Sequence, residues 1–291
     1  MPATSTGTIG AIAGKELRSF LGNPTGYVFL TLFIVASAAA AFLTDSFFGR
    51  NLADLSTLNK WMPAILMFFV PAITMNLWAD ERRSGTDELL LTLPVRDTEV
   101  VLGKFFGALG VYTVGLLFSL ANVVVLAYLG EPDVGLMFAT YLGYWLMGAL
   151  FVAVGMVGSM FTGNTTVAFI LGALGCAALV FAGDAPWSSG LIGVVLLGAA
   201  IALVWGVAVG SGKGAGQTVA VAAGLAGGLA LWLASPKTGA VFTETFGSLG
   251  APAHFESFGE GLVRLGDIGF FVGGAAVALY LCGILISRRH W

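Results

Sequence analysis

Long apolar segments alternate with short polar ones along the whole of this 291-residue chain. A helix needs about 20 predominantly apolar residues to cross a lipid bilayer. Eight segments come close to that length or exceed it, and the fifth to seventh of them are rich in Gly and Ala. The pattern predicts transmembrane helices at residues 25–44, 61–79, 105–129, 136–160, 165–183, 190–209, 217–234 and 268–287. The number falls to six if 190–234 does not hold two full spans.

Composition supports the same class of protein. Hydrophobic residues make up 57% of the chain and charged residues only 10%, with a mean hydropathy of +0.92. A soluble domain carries roughly 25% charged residues, so this chain has too few to cover a surface in water. We therefore expect an all-α, multi-pass bundle in the cell (inner or plasma) membrane. Residues 1–291 would form a single transmembrane domain whose surroundings are the lipid bilayer, with no nucleic-acid partner.

The basic residues predict the orientation, because short cytoplasmic loops carry an excess of Lys and Arg. With the N terminus inside, the cytoplasmic segments hold Lys15, Arg18, Arg82, Arg83, Arg96, Lys104, Lys213, Arg288 and Arg289. The outer segments then hold Arg50, Lys60, Lys237 and Arg264. This excess predicts that both termini lie in the cytoplasm and that the number of spans is even.

One dense polar segment, residues 80–104, lies between the second and third predicted spans. Ser84-Gly85 permits a turn, and Thr86 is a good N-cap for a following helix. That helix would be short and rich in leucine, and it would end before Pro94, because a residue preceding proline avoids the α conformation. Such a helix either rests among lipid headgroups or docks into a groove on a cytosolic partner. Physical arguments alone leave both interpretations open.

A second polar segment, residues 10–22, precedes the first span. Leu17, Phe20 and Leu21 share one face of a helix there, with charged Lys15, Glu16 and Arg18 beside them. This pattern predicts an amphipathic helix on the membrane surface.

Two further patterns concern packing. Pairs of glycines four residues apart let helix backbones approach closely; these pairs are Gly103–Gly107, Gly206–Gly210, Gly224–Gly228 and Gly269–Gly273. The outer segment 235–267 contains several phenylalanines and is too apolar for a free loop. We expect it to form short helices at the outer interface.

Ionisable residues in mid-span would indicate an ion pathway, and the absence of clear examples argues against a proton- or sodium-coupled transporter.

Three stretches of the sequence resemble one family, the ABC-2 type transporter permeases. The most specific is Glu81–Val95 followed by Glu99–Lys104, and it is most similar to the branch of the gliding-motility and nitrous-oxide-reductase-maturation permeases. The other resembling residues are Lys15–Arg18, Asn23–Tyr27, His254-Phe255, Gly261-Leu262, Asp267 and Phe271. The extra apolar stretches within 185–234 depart from the six spans common in such permeases.

The resemblance implies a permease subunit that works as a dimer, with an identical or a paralogous second copy, each bound to a cytosolic ABC ATPase subunit. Residues 10–22 would be the elbow helix, including Lys15, Glu16, Arg18 and Phe20, and 80–104 the coupling loop. The turn Thr162–Thr165 would make a second, smaller contact. The expected ATPase contacts are Glu81, Arg82, Arg83, Gly85, Thr86, Asp87, Glu88, Leu89, Leu90, Leu93 and Pro94. An extracytoplasmic accessory subunit, if one belongs to the assembly, would bind the outer segment 235–267.

The chain itself shows no nucleotide site. Gly210–Gly214 looks like a phosphate-binding loop, but it lacks the first glycine and the Ser or Thr after lysine. We therefore expect no cofactor on this chain, with ATP and Mg²⁺ on the partner subunit, and no enzymatic activity of its own. Two alternatives remain: a scaffold or sensor that recruits a cytosolic ATPase without transport, and an integral-membrane enzyme. The enzyme would require convergent His, Asp, Glu or Ser groups, which the sequence does not suggest.

Overall fold

The computed structural model describes residues 5–43, 55–86, 95–130, 132–209, 215–234 and 236–287. These residues form thirteen helices and, within the same ranges, no strand. The all-α prediction is therefore confirmed. The helices are α1 Ser5–Leu21, α2 Pro24–Phe42, α3 Ser56–Thr74, α4 Asn76–Ser84, α5 Asp97–Ser119, α6 Ala121–Leu129, α7 Val134–Met160, α8 Thr165–Phe181, α9 Pro186–Val209, α10 Ala215–Leu233, α11 Pro236–Gly247, α12 Ala251–Gly259 and α13 Leu265–Ser287.

Each of the eight predicted spans is helical; 61–79 covers parts of α3 and α4, and 105–129 covers part of α5 and all of α6. Among the described residues, five helical segments are long and apolar enough to cross a bilayer, and α10 with α11, bent by 117°, makes a sixth if the pair counts as one span. The five are Pro24–Phe42, Ser56–Ser84, Asp97–Leu129, Val134–Met160 and Leu265–Ser287. The protein is a multi-pass membrane protein. Eight full spans and inward-facing termini stay predictions.

The chain divides into two compact units. One comprises residues 1–177 together with 254–291, and the other comprises 178–253. The prediction of a single permease domain over 1–291 stays a prediction.

Helix α7 is the centre of the larger unit, where α3, α5 and α13 pack against it. Close packing here depends on small residues, because apolar side chains gain little from leaving lipid for protein. A methyl group on Gly148 would overlap the ring of Tyr112, and one on Gly155 would overlap the hydroxyl of Thr74. Tyr112 in turn donates a hydrogen bond of 2.8 Å to the carbonyl of Tyr144. These contacts hold α3 and α5 directly against α7.

The smaller unit contains a second close helix pair, α9 and α10. A methyl group on Gly224 would lie 2.8 Å from the backbone of Gly198, and one on Gly228 would lie 3.0 Å from that of Val194. The predicted packing role of Gly224–Gly228 is confirmed. The pair Gly269–Gly273 has nothing within 4 Å of either position, so it packs against no described helix. The pair Gly206–Gly210 extends beyond the described residues.

The outer segment is helical, as predicted, and forms α11 and α12. In the smaller unit, the ring of Phe242 is buried and lies 4.8 Å from that of Phe246. In the larger unit, the ring of Phe255 stacks on Tyr144 at 5.1 Å, and Phe258 is fully buried. The phenylalanines therefore serve the packing of each unit.

Candidate functional site

Helix α4 carries the start of the polar segment 80–104 away from α3. It ends at Ser84, where Gly85 has a left-handed backbone with φ of +67° and its N–H donates to the carbonyl of Glu81. Glycine adopts this conformation without the steric cost that a Cβ imposes. The predicted turn at Ser84-Gly85 is confirmed. The hydroxyl of Thr86 lies 2.9 Å from that of Ser84, whereas the amides that Thr86 was expected to cap lie outside the described residues.

The ammonium group of Lys104 is the centre of a charged network at the same end of the larger unit. Its side chain is 1% exposed, and Nζ lies 2.8 Å from Oε1 of Glu81 and 3.1 Å from Oε1 of Glu16. It also donates to the carbonyl of Leu77 at 2.6 Å. The three N–H donors of the ammonium thus have three acceptors. The same Nζ lies 4.8 Å above the ring of Trp78, a favourable cation–π distance.

The residues of this network come from three helices. Glu16 lies on α1, Glu81 on α4 and Lys104 on α5, and Lys15 adds a second cation 3.2 Å from Glu81. Two carboxylates and two ammonium groups leave the cluster neutral. A buried charge without a partner is costly, and removing one member of a buried ion pair typically costs about 3–5 kcal/mol. The network therefore ties the N-terminal helix to both ends of the segment 80–104. We call these four residues, Lys15, Glu16, Glu81 and Lys104, the charge network.

Helix α1 reaches this position because α5 presents glycines toward it. A methyl group on Gly103 would lie 2.7 Å from Cβ of Ile12, and one on Gly107 would lie 2.7 Å from Cβ of Glu16. The predicted packing role of Gly103–Gly107 is confirmed, and its partner is α1. The backbone contact brings Glu16 within reach of Lys104, which lies one residue beyond Gly103.

A second contact joins α4 to the turn that follows α7. The guanidinium of Arg82 donates to the carbonyl of Met160 at 3.0 Å, a favourable position for a cation because helix C-terminal carbonyls carry partial negative charge. A methyl group on Gly163, in the following turn, would lie 3.9 Å from the side chain of Arg82, an ordinary van der Waals distance. Asn164 ends that turn and accepts from the N–H of Thr166 at 2.9 Å, which caps α8. Thus the two stretches expected to contact an ATPase, the start of 80–104 and the turn Thr162–Thr165, lie beside each other.

The remaining predicted residues are exposed, half-buried or outside the described ranges. Arg83 is exposed and lies 3.6 Å from Asp80, Arg18 is exposed on the last turn of α1, and Phe20 is half-buried. The predicted ATPase contacts Asp87, Glu88, Leu89, Leu90, Leu93 and Pro94 lie outside the described residues. In the sequence, Lys104 is recognisable only as the end of the polar segment; neither its burial nor the roles of Leu77 and Trp78 were predicted.

A smaller polar cluster joins α12 to the start of α13. Asp267 lies 2.8 Å from Nδ1 of His254 and accepts from the hydroxyl of Ser257 at 2.6 Å. Serine and histidine both bond the carboxylate, which differs from a hydrolytic triad, where the serine bonds the histidine. Within the described ranges, no three His, Cys, Asp or Glu side chains are placed to hold a metal ion.

Comparison with known proteins bears on the part of the chain that includes α3 to α8. Residues 52–184 match the family model described as ABC-2 family transporter protein. The match supports an ABC-2 type permease. It covers just under half of the chain and includes Glu81, Arg82, Lys104 and the turn Thr162–Thr165 of this permease-like region. No curated protein matches the chain.

Proposed function

We propose that this chain is the permease subunit of an ABC-2 type transporter, which moves a substrate across the membrane by using ATP hydrolysed on a separate cytosolic subunit. The observation that carries the proposal is the charge network centred on Lys104. It lies within the family match except for Lys15 and Glu16, and it connects three helices at the base of the segment 80–104.

The network supports a mechanical role for that segment. A loop that is attached to the bundle only through its backbone would bend under an applied force and would not transmit that force to the helices. Here the first turn of the segment contributes Glu81 and its last residue is Lys104. These two residues are paired with each other, and Lys104 is also paired with Glu16 of α1. A force applied between residues 86 and 95 is therefore delivered to α1, α4 and α5 together. Arg82 extends the same connection to the end of α7.

The partner set follows from this role. A cytosolic ABC ATPase would bind residues 81–94 and the turn Thr162–Thr165, and it would hold the ATP and Mg²⁺. A second permease copy, identical or paralogous, would complete the assembly in the inner or plasma membrane. The narrower similarity to the gliding-motility and nitrous-oxide-reductase-maturation branch rests on the run Glu81–Lys104. Two carboxylates, at Asp87 and Glu88, would meet the ATPase next to the leucines.

The first test measures binding of the ATPase. Leu90→Asp introduces a charge into the expected contact, while Leu265→Asp, at an 85% exposed position at the other end of the larger unit, is the matched control. We expect the first variant to insert normally but to lose co-purification of the ATPase, and the control to retain it. ATPase binding equal to wild type in the Leu90→Asp variant would contradict the proposal.

A scaffold that recruits an ATPase without transport shares the same contact surface, and a second measurement separates the two functions. Glu16→Gln breaks the charge network but leaves residues 81–94 unchanged. If the chain is a coupled permease, this variant binds the ATPase normally, and the rate of ATP hydrolysis by that ATPase changes in vesicles. A scaffold would give the wild-type hydrolysis rate in this variant.

A further inference from the structure

The span Ser56–Ser84 is interrupted where α3 meets α4. Helix α3 ends at Thr74 and α4 begins at Asn76, although together they have the length and apolarity of one membrane-crossing segment. Met75, at the interruption, has φ of −56° and ψ of −33°, which are ordinary α-helical values. Residues 72–84 contain neither glycine nor proline. Neither backbone strain nor a helix-breaking residue within this stretch therefore explains the interruption.

The proline nearest to the interruption, Pro71, acts on a different turn. Proline lacks the N–H that would bond to the carbonyl four residues earlier, and its ring crowds that carbonyl, so its effect falls on the preceding turn. In the following turn, the carbonyl of Pro71 accepts from the N–H of Met75 at 2.8 Å, as in a regular helix. The reason for the interruption must therefore come from a neighbouring helix.

A serine of α7 bonds to the backbone on both sides of the interruption. Ser159 is fully buried, and its Oγ accepts from the N–H of Trp78 at 3.0 Å and donates to the carbonyl of Met75 at 3.4 Å. In an uninterrupted helix, the N–H of Trp78 would donate to the carbonyl of Thr74, four residues earlier. A side chain that inserts into the backbone hydrogen bonds in this way interrupts or kinks a helix. The N–H of Trp78 therefore has two alternative acceptors.

The polar contacts of α4 with its neighbours differ in strength. Toward α7, the described contacts are the bond between Trp78 and Ser159 and the hydrogen bond from Arg82. Toward α1 and α5, α4 is held by the ion pairs of Glu81 with Lys15 and with the buried Lys104. Separating a buried ion pair costs more than losing a hydrogen bond whose groups find other partners. If α4 moves, we therefore expect it to leave α7 and to stay with α1 and α5.

We propose that the junction of α3 and α4 is a two-state switch, and that Ser159 is the positioning residue that selects the state. In the interrupted state, which the structure shows, Ser159 accepts from the N–H of Trp78 and holds α4 against the end of α7. In the continuous state, this N–H donates to the carbonyl of Thr74, so that α3 and α4 form one helix. Helix α4 then separates from α7 with the charge network intact. The switch is a property of this chain and does not depend on the proposed transport function.

Disulfide trapping in the purified full chain measures the interrupted state. A Cβ at position 163 would lie 3.9 Å from Cβ of Arg82, which is within the range for a disulfide. Arg82→Cys with Gly163→Cys therefore links α4 to the turn after α7. In this background we expect Ser159→Ala to slow oxidation of the cysteine pair about twofold to tenfold, the range that one neutral hydrogen bond gives. Ser159→Thr keeps the hydroxyl and should oxidise at about the rate seen with serine.

Hydrogen exchange over residues 75–80, measured by mass spectrometry, distinguishes a switch from a fixed interruption. In a switch, Ser159→Ala transfers the N–H of Trp78 to the carbonyl of Thr74, so exchange is no faster than in wild type. In a fixed interruption, the same N–H is left without an acceptor and exchanges faster. The two measurements together therefore identify the second state as well as the loss of the first.

Tyr141→Phe is the matched control. It removes another hydroxyl of α7, which donates to the carbonyl of Ser119 at 2.8 Å where α5 meets α6, and it should change neither measurement. Faster exchange over residues 75–80 in Ser159→Ala would overturn the proposal, as would an unchanged oxidation rate of the cysteine pair. So would a Ser159→Thr rate as low as that of Ser159→Ala, or an equal effect of Tyr141→Phe.

Discussion

The ammonium of Lys104 lies 2.8 Å from the carboxylate of Glu81, which places both ends of the segment 80–104 in one ion pair. The pair is buried, and Glu16 of α1 completes it at 3.1 Å. Because Lys104 belongs to α5 and Glu81 to α4, the loop between them begins and ends at a fixed point. With this geometry, a force applied to the loop would be transmitted to α1, α4 and α5.

Lys104→Met tests the energetic role of the charge network. The substitution leaves two largely buried carboxylates with Lys15 as their remaining cation, so we expect a loss of about 3–5 kcal/mol, measured by thermal unfolding in detergent. The triple variant Lys104→Met, Glu16→Gln, Glu81→Gln removes the buried charges together and should regain part of that loss. Lys60→Met, at an exposed position, is the control and should change stability by less than about 0.5 kcal/mol. A triple variant less stable than Lys104→Met would show that unpaired charge is not the cause.

The glycine pairs offer a matched comparison. Gly103→Ala introduces a methyl group 2.7 Å from Ile12, so we expect α1 to shift and the protein to lose about 1–3 kcal/mol of stability. Gly273→Ala, with nothing within 4 Å, should be neutral or stabilising by up to about 1 kcal/mol, because alanine is the better helix former. The measurement is again thermal unfolding of the purified protein. Similar losses from both substitutions would show that contact with α1 is not what requires Gly103.

Two adjacent arginines are expected to behave differently. Arg82→Gln removes the donor to the carbonyl of Met160, and a hydrogen bond from a charged group is worth about 1.5–3 kcal/mol. We expect faster hydrogen exchange over residues 158–166, measured by mass spectrometry. Arg83→Gln, whose side chain is 71% exposed, should leave exchange there unchanged, because an exposed ion pair contributes about 0–1 kcal/mol. If both substitutions accelerate exchange equally, the specific role of Arg82 is wrong.

Orientation is open to direct measurement by thiol labelling. Cys176 and Cys282 are both buried, so we expect little labelling of these native cysteines. The signal then reports on a cysteine introduced at an exposed position. Ser84→Cys should react in intact cells only with a membrane-permeant reagent, since it is predicted to face the cytoplasm. Asp184→Cys, in a predicted outer turn, should react with an impermeant one. The opposite result at Ser84 would place the segment 80–104 on the wrong side for a cytosolic ATPase.

Apolar length alone was enough to predict a helix at each of the eight segments, because a long apolar run in lipid must satisfy its backbone hydrogen bonds internally. The turn at Gly85 and the packing of Gly103–Gly107 also followed from local sequence. The distant residues that pair with this polar segment could not be predicted in the same way. Lys104 looks like one more member of a polar segment, since the carboxylate of Glu16 lies 88 residues away in the chain. The Arg82–Met160 contact, 78 residues apart, has no local signal either.

Lys104 did carry one sequence signal that was not used. Val100, Val101 and Ala108 are buried with it on the same stretch of α5, so a lysine falls within an otherwise apolar helical face. A charge in such a position indicates a paired, buried group. Its partners were already singled out: Glu16 as part of the elbow helix and Glu81 as part of the coupling loop.

The most direct test of the central claim is site-specific photocrosslinking from residue 90 in native membranes. A photoreactive amino acid at Leu90 lies in the expected ATPase contact, and one at Tyr128, which is 92% exposed and belongs to the far end of the α5–α6 segment, is the control. We expect a crosslinked product from position 90 that contains an ABC ATPase, and no such product from position 128. An ATPase adduct from position 128 but none from position 90 would contradict it.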